Sequence, residues 1–196
     1  MDTSSLVLLD QEELQQLALA ANRSQTPGAA IAYLKEAVSR ADATANSHFL
    51  LGAEYAQVRI FDRALKEFES ALAIDPALAI ARFQLGLLLY TLGEKQRSGD
   101  ILKPLYGLGE SNPLSHFGKA VDYLNTEQFA KAIVSLSRGI ELNPAQRALT
   151  QEMQKMVEEL RKLPPELLKD RENADSSDEG LENRLLLSAY AGNSIH

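Results

Sequence analysis

The 196-residue chain contains no cysteine and no tryptophan, only three histidines, and fewer bases (20 Lys and Arg) than acids (27 Asp and Glu). Without cysteine there is no disulfide and no thiolate metal site, and the redox compartment stays open. The shortage of bases leaves a net charge of −7 and a pI near 5.1. That balance excludes a general nucleic-acid binder, which needs clustered Lys and Arg against phosphates, and disfavours an anionic membrane surface. No apolar run approaches the roughly 20 residues of a membrane helix, so membrane insertion is not expected. In the opening MDTSSLVLLDQEE the run Leu6–Leu9 stops at Asp10, and no base precedes it. The opening is thus not expected to act as a secretory signal, and a cytoplasmic location is the expectation. What is present is 45% hydrophobic and 24% charged residues, the profile of a folded globular chain.

Self-comparison yields a period of 34 residues. The stretch from Ala45, ANSHFLLGAEYAQVRIFDRALKEFESALAIDPAL, holds Leu51, Gly52, Tyr55, Ala64, Phe68, Ala71 and Pro76. From Ala79, Leu85 and Gly86 recur in register and Gly93 marks a turn, while Ser98 and Leu102 take the later places. From Pro113, Ala120, Tyr123, Phe129, Ala132, Leu136 and Pro144 fit. Backwards, from Gln11, the matches are Leu17, Ala18, Ala30, Leu34 and Ala37, without the aromatic residues. This order and spacing resembles the tetratricopeptide repeat, with His48 where that family usually has tryptophan. In FDRALKEFESALAI the apolar residues recur at three- and four-residue steps, as an amphipathic helix requires. One helical hairpin cannot bury its own apolar face, whereas stacked hairpins can.

The expected architecture is all-α. A right-handed α-solenoid of four helix-turn-helix repeats begins at residues 11, 45, 79 and 113 within a domain 1–163, closed by a capping helix at 145–162. In AQRALTQEMQKMVEELRKL, Leu149, Met153, Met156, Val157 and Leu160 share one face, as a terminal helix needs. Asp75-Pro76 and Asn143-Pro144 are expected to stop one helix and start the next, with Asp or Asn as N-cap and Pro as first helical residue. Pro104, inside the second helix of the third repeat, reads either as a hinge or as a shortened helix.

The resemblance implies a function as well as a fold. In that family the first helix of each hairpin lines a concave groove, through places 2, 5, 6, 9, 12 and 13 of the repeat. Place 5 is Gln15, Phe49, Phe83 and Phe117. Beside them fall Leu50, Leu87, Tyr90, Leu114, Val121 and Leu124, with Asn22, Arg23, Gln57, Gln84 and Asn125 as polar edges. Family members that grip acidic chaperone C-termini use Lys, Arg and Asn at places 2, 5, 6 and 9, which here are mostly apolar or neutral. The implied ligand is instead an apolar helix or peptide held by anchors in pockets. A phenylalanine once per repeat also suits packing between neighbouring first helices, and the sequence leaves both readings open.

After Pro165 the character changes. From Asp170 to Gly180 stand five acids and one base, the make-up of a solvated linker, here assigned to 164–180. Its 11 residues from Asp170 span up to about 35 Å when extended. Ser176 and Glu179 then form a capping-box pattern, and Leu181, Leu185, Leu186, Ala189 and Tyr190 occupy one wide helical arc. A tail helix at 181–196 is expected to dock on apolar surface: in its own groove, in a neighbour's as a swapped homodimer, beside the capping helix, or on another protein.

Enzymatic chemistry is not expected, and neither is a cofactor or metal. His48 and His116 share place 4 two repeats apart, on the order of 20 Å at ordinary helix spacing. No strand-turn-helix elbow presents a serine, the GLG at 107–109 follows no strand, and DSSDEG lacks calcium-loop spacing. The functional expectation is a protein–protein interaction adaptor for an apolar helix or peptide. The alternatives are a secretion-type chaperone, whose small, acidic, tandem-repeat architecture bacterial type III translocator chaperones share, and a homo-oligomer through tail exchange.

Overall fold

A computed structural model describes residues 3–24, 27–143 and 147–168. Among them every regular element is helical: a 3-10 helix Thr3–Leu8, then α1 (Gln11–Arg23), α2 (Pro27–Val38), α3 (Ala45–Gln57), α4 (Phe61–Ile74), α5 (Ala79–Thr91), α6 (Lys95–Tyr106), α7 (Pro113–Asn125), α8 (Phe129–Leu142) and α9 (Arg147–Arg161). First helices begin at 11, 45, 79 and 113 and second helices at 27, 61, 95 and 129, each step 34 residues. α9 starts a further 34 residues on, in the place of a fifth first helix. The chain divides into two compact units, one ending at Ala81 and one beginning at Arg82. The linker beyond residue 168 and the expected tail helix lie outside the described residues.

Local chemistry explains the helix starts. Before α1, the Glu13 backbone N–H donates to Asp10 Oδ1 at 2.8 Å and the Asp10 N–H donates to Glu13 Oε2 at 2.9 Å, a complete capping box. Thr44 caps α3, accepting from the Ser47 N–H at 3.0 Å. Asn112 caps α7, accepting from the Leu114 N–H at 2.9 Å, with Pro113 as first helical residue. Asp75 and Asn143 stop α4 and α8 as expected, the N-cap role expected of Asp75 is corrected, and Pro144 lies outside the described residues. Asp75 terminates α4, and its carboxylate accepts from the Ala77 N–H at 2.9 Å, holding a turn that delays α5 to Ala79. Asn143 terminates α8, and its carbonyl accepts from the Thr150 hydroxyl at 2.8 Å, binding the end of α8 to α9.

The hairpin turns share one geometry. The N–H groups of Ile60, Glu94 and Gln128 donate to the carbonyls of Tyr55, Leu89 and Tyr123 at 2.8, 2.9 and 2.8 Å. Each bond closes over a residue at place 15 with positive φ: Arg59 (62°), Gly93 (81°) and Glu127 (56°). Glycine suits that left-handed position, while Arg59 and Glu127 bear a Cβ there. α6 runs through Pro104 and stops two residues later; its 12 residues against 14 for α4 and α8 match the shortened-helix reading.

In the first unit, Gly52 lets α3 and α4 close: a Cβ there would lie 2.7 Å from the Phe68 ring, which is fully buried. Burying such a ring contributes roughly 1.5–3 kcal/mol. A polar network ties α1 to α3, the Gln15 amide donating to Ser47 Oγ at 2.9 Å and Ser47 Oγ donating to Gln11 Oε1 at 2.8 Å. Arg40 fastens the 3-10 segment by donating to the carbonyls of Leu9 and Leu6. In the second unit the same register recurs, the Leu102 side chain filling the space a Cβ on Gly86 would need. There α8 and α9 bury Leu136, Met153 and Leu160.

Candidate protein-interaction surface

The residues expected to line a groove fall into both units. In the first, Phe49 and Leu50 on α3 are half-buried, with the Phe49 ring 6.2 Å from that of Phe68. Their polar neighbours are engaged. Asn46 donates to Gln15 at 2.7 Å, and Asn22 donates to Glu54 Oε1 at 2.7 Å. The other oxygen of Glu54 is buried without a partner, and burial pushes the carboxyl above the usual range.

In the second unit, α5 and α7 carry most of the candidates, and nearly all are sealed. Leu87, Tyr90, Val121 and Leu124 are at most 4% exposed, and Phe83 and Phe117 are fully buried. Only Leu114 and Asn125 are half-buried. From Leu85 to Thr91 every residue is buried; seven residues make about two turns, so no side of that stretch faces water. The Phe83 and Phe117 rings lie 5.8 Å apart. Phe117 also fills the space above Gly139 of α8, where a Cβ would stand 2.3 Å from the ring. Both contacts are packing between helices within this unit.

Phe117, Val121 and Asn125 stand four residues apart, hence on one face of α7. Phe83, Leu87 and Thr91 form the matching row on α5. The rows end differently. Thr91 donates its hydroxyl to the Leu87 carbonyl of its own helix at 2.9 Å. The Asn125 amide has both its nitrogen and its oxygen buried, and neither has a partner.

One polar group was not singled out from sequence. Glu152, on α9, has its carboxyl pushed up to about 7, foremost by burial; the donating Gln84 amide and the Lys155 charge pull the other way. Continuing the 34-residue register into α9 would have found it, because Glu152 then takes place 6, as Gln84 does in its repeat. Both described histidines, His48 and His116, are engaged within the fold. His48 Nδ1 lies 2.7 Å from Glu67 Oε2 across α3 and α4, and His116 Nε2 lies 2.8 Å from the Glu110 carbonyl before α7. Among the described residues no metal-binding group of His, Asp and Glu converges, and no helix is long and apolar enough to cross a membrane. The tail residues Leu181, Leu185, Leu186 and Tyr190 lie outside the described residues.

No protein-family model and no curated protein matches the chain. Solved structures do. MamA from Desulfovibrio magneticus RS-1 superposes with a TM-score of 0.56 at 15% identity, over 93% of this chain and 92% of that one. A second MamA crystal structure gives 0.56 at 16% identity, over 95% and 96%. MamA AMB-1 gives 0.53 at 18% identity, over 91% and 98%. At such identities the likeness shows the fold alone, an all-helical solenoid.

Proposed function

We propose that the chain is a non-enzymatic protein-interaction scaffold whose second unit holds an apolar helix along α5 and α7, and that its own segment Leu181–Tyr190 fills that place until a partner's apolar helix displaces it. One observation carries the proposal. Leu87, Tyr90, Val121 and Leu124 occupy places 9 and 12, which face the groove in proteins this sequence resembles, yet they are at most 4% exposed. Residues of that kind left open would form an apolar patch uncomfortable for a free chain. The sequence contains a matching cover, the wide apolar arc of Leu181, Leu185, Leu186, Ala189 and Tyr190, beyond an acidic linker that spans up to about 35 Å when extended.

The test removes residues 172–196 and compares hydrophobic-dye binding and mass in solution with the intact chain. Docking within one chain requires dye binding to rise, and a synthetic peptide of residues 178–194 to reverse the rise. A mass that depends on concentration in the intact chain and falls on truncation assigns the site to a neighbour's tail. If dye binding and mass both stay as they were, the proposal fails. Dye binding that only a client protein suppresses, and not the peptide, would favour the chaperone role.

A further inference from the structure

We infer that the side of α1 turned away from α3 is a self-recognition surface, and that its occupant is the same side of α1 on a second copy of this chain, the two helices lying antiparallel about a two-fold axis. The inference is independent of the docking proposed above, since it uses neither α5 and α7 nor the tail.

A helix that ends a stack of hairpins normally turns a polar side to water. α9 does so: Gln151, Gln154, Lys155 and Glu158 are exposed, while Leu149, Met153, Met156, Val157 and Leu160 are buried. α1 does not. Its Gln15 and Asn22 donate to Ser47 and Glu54, and so mark the side that faces α3. Leu17 stands two residues from Gln15, roughly 200° round the helix, and is 37% exposed. Ala20, about one turn further on, is exposed beside it. Ahead of α1, Val7 and Leu8 of the 3-10 segment are 67% and 87% exposed, although Arg40 fastens that segment to the fold through the carbonyls of Leu6 and Leu9.

Apolar residues left open on a fixed part of the fold mark a contact surface, and the charges choose the partner. The first turn of α1 carries Glu12 and Glu13, and the last carries Arg23. A helix with acids at its start and a base at its end complements a copy of itself only when that copy is reversed. In an antiparallel pair centred between Leu17 and Ala20, Leu17 of each copy lies over Ala20 of the other. Arg23 of each then falls level with residue 14 of the other, one and two residues from Glu13 and Glu12. The short alanine leaves the hollow that the leucine fills, as helices packed about 8–10 Å apart require. Reversal also carries Val7 and Leu8 towards the end of the second copy's α1. Two-fold symmetry makes every contact twice and closes the pair, so association stops at two.

Sedimentation equilibrium of the full-length chain tests this from about 1 μM to 1 mM, the range in which a small interface associates. The mass should rise from 21.5 kDa to twice that value and no further. Leu17→Asp should weaken association more than about tenfold. Glu12→Arg and Arg23→Glu should each weaken it about three- to tenfold, because each sets like charges together twice per dimer. Both changes in one chain should restore it. Since the chain has no cysteine, Ala20→Cys places the contact: a short bismaleimide should join two copies through it, and should not through Gln154→Cys on α9. If Leu17→Asp loses helix content by circular dichroism, the charge swap and the cross-link decide alone. A chain that keeps the monomer mass throughout overturns the inference. So does a dimer that Glu12→Arg and Arg23→Glu leave unchanged, or one that the double change fails to restore, since the contact would then lie elsewhere.

Discussion

The Gly139→Ala substitution asks whether Phe117 belongs to the core. An added Cβ would stand 2.3 Å from Cε1, 2.5 Å from Cδ1 and 3.0 Å from Cζ of that ring. Ordinary contact needs about 3.5–4 Å between carbons, so the ring must retreat by more than about 1 Å. It has little room to do so: it is fully buried, and the Phe83 ring lies 5.8 Å away. Overpacking of this kind costs about 1–3 kcal/mol. Replacing a mid-helix glycine by alanine recovers about 0.5–1 kcal/mol. The net expectation is a loss of about 1–2 kcal/mol, or about 0.5–1 M in urea midpoint for a slope near 2 kcal/mol/M. Urea unfolding followed by circular dichroism gives the number, and Phe117→Leu, which removes the colliding ring edge, should reduce the loss to less than half. The pair then shows coupling in a double-mutant cycle. A Gly139→Ala chain as stable as the parent would mean that the ring swings aside freely, and the assignment of Phe117 to the core would fall.

Glu152→Gln should make stability less sensitive to pH. A carboxyl raised from 4.5 to about 7 by burial binds its proton more tightly folded than unfolded, so its contribution is complete below about 4.5 and is lost as pH rises to about 7. The rise from 4.5 to about 7 corresponds to at most about 3.4 kcal/mol at 1.36 per unit. The variant should therefore match the parent near pH 4 and exceed it above pH 7 in urea midpoint; a gap independent of pH contradicts the assignment. Glu127→Gly should raise the thermal midpoint, because φ of 56° at that turn burdens a residue with a Cβ by about 1 kcal/mol before glycine's own entropy is subtracted. Gly93→Ala, with φ of 81° in the equivalent turn, should lower it.

The comparison of sequence with structure is clearest at single residues. The 34-residue register set the starts of α1, α3, α5 and α7, because helix-forming periodicity and the capping residues Asp10, Thr44 and Asn112 act within a few residues of themselves. Small residues facing large ones, Gly52 against Phe68 and Gly86 against Leu102, were legible for the same reason: a repeat places them at a constant offset. Pattern was less reliable wherever two chemistries suit one residue. Asp75 before a proline reads equally as a helix start or as the turn it forms.

Residue order alone thus established an all-helical repeat chain, its register, and the absence of thiol chemistry. How deeply α5 and α7 are buried was decided in three dimensions, since the exposure of Phe83, Val121 or Glu152 depends on what packs there from elsewhere in the chain. A local pattern specifies that a residue is apolar and which way it points along its helix. It does not specify what meets it.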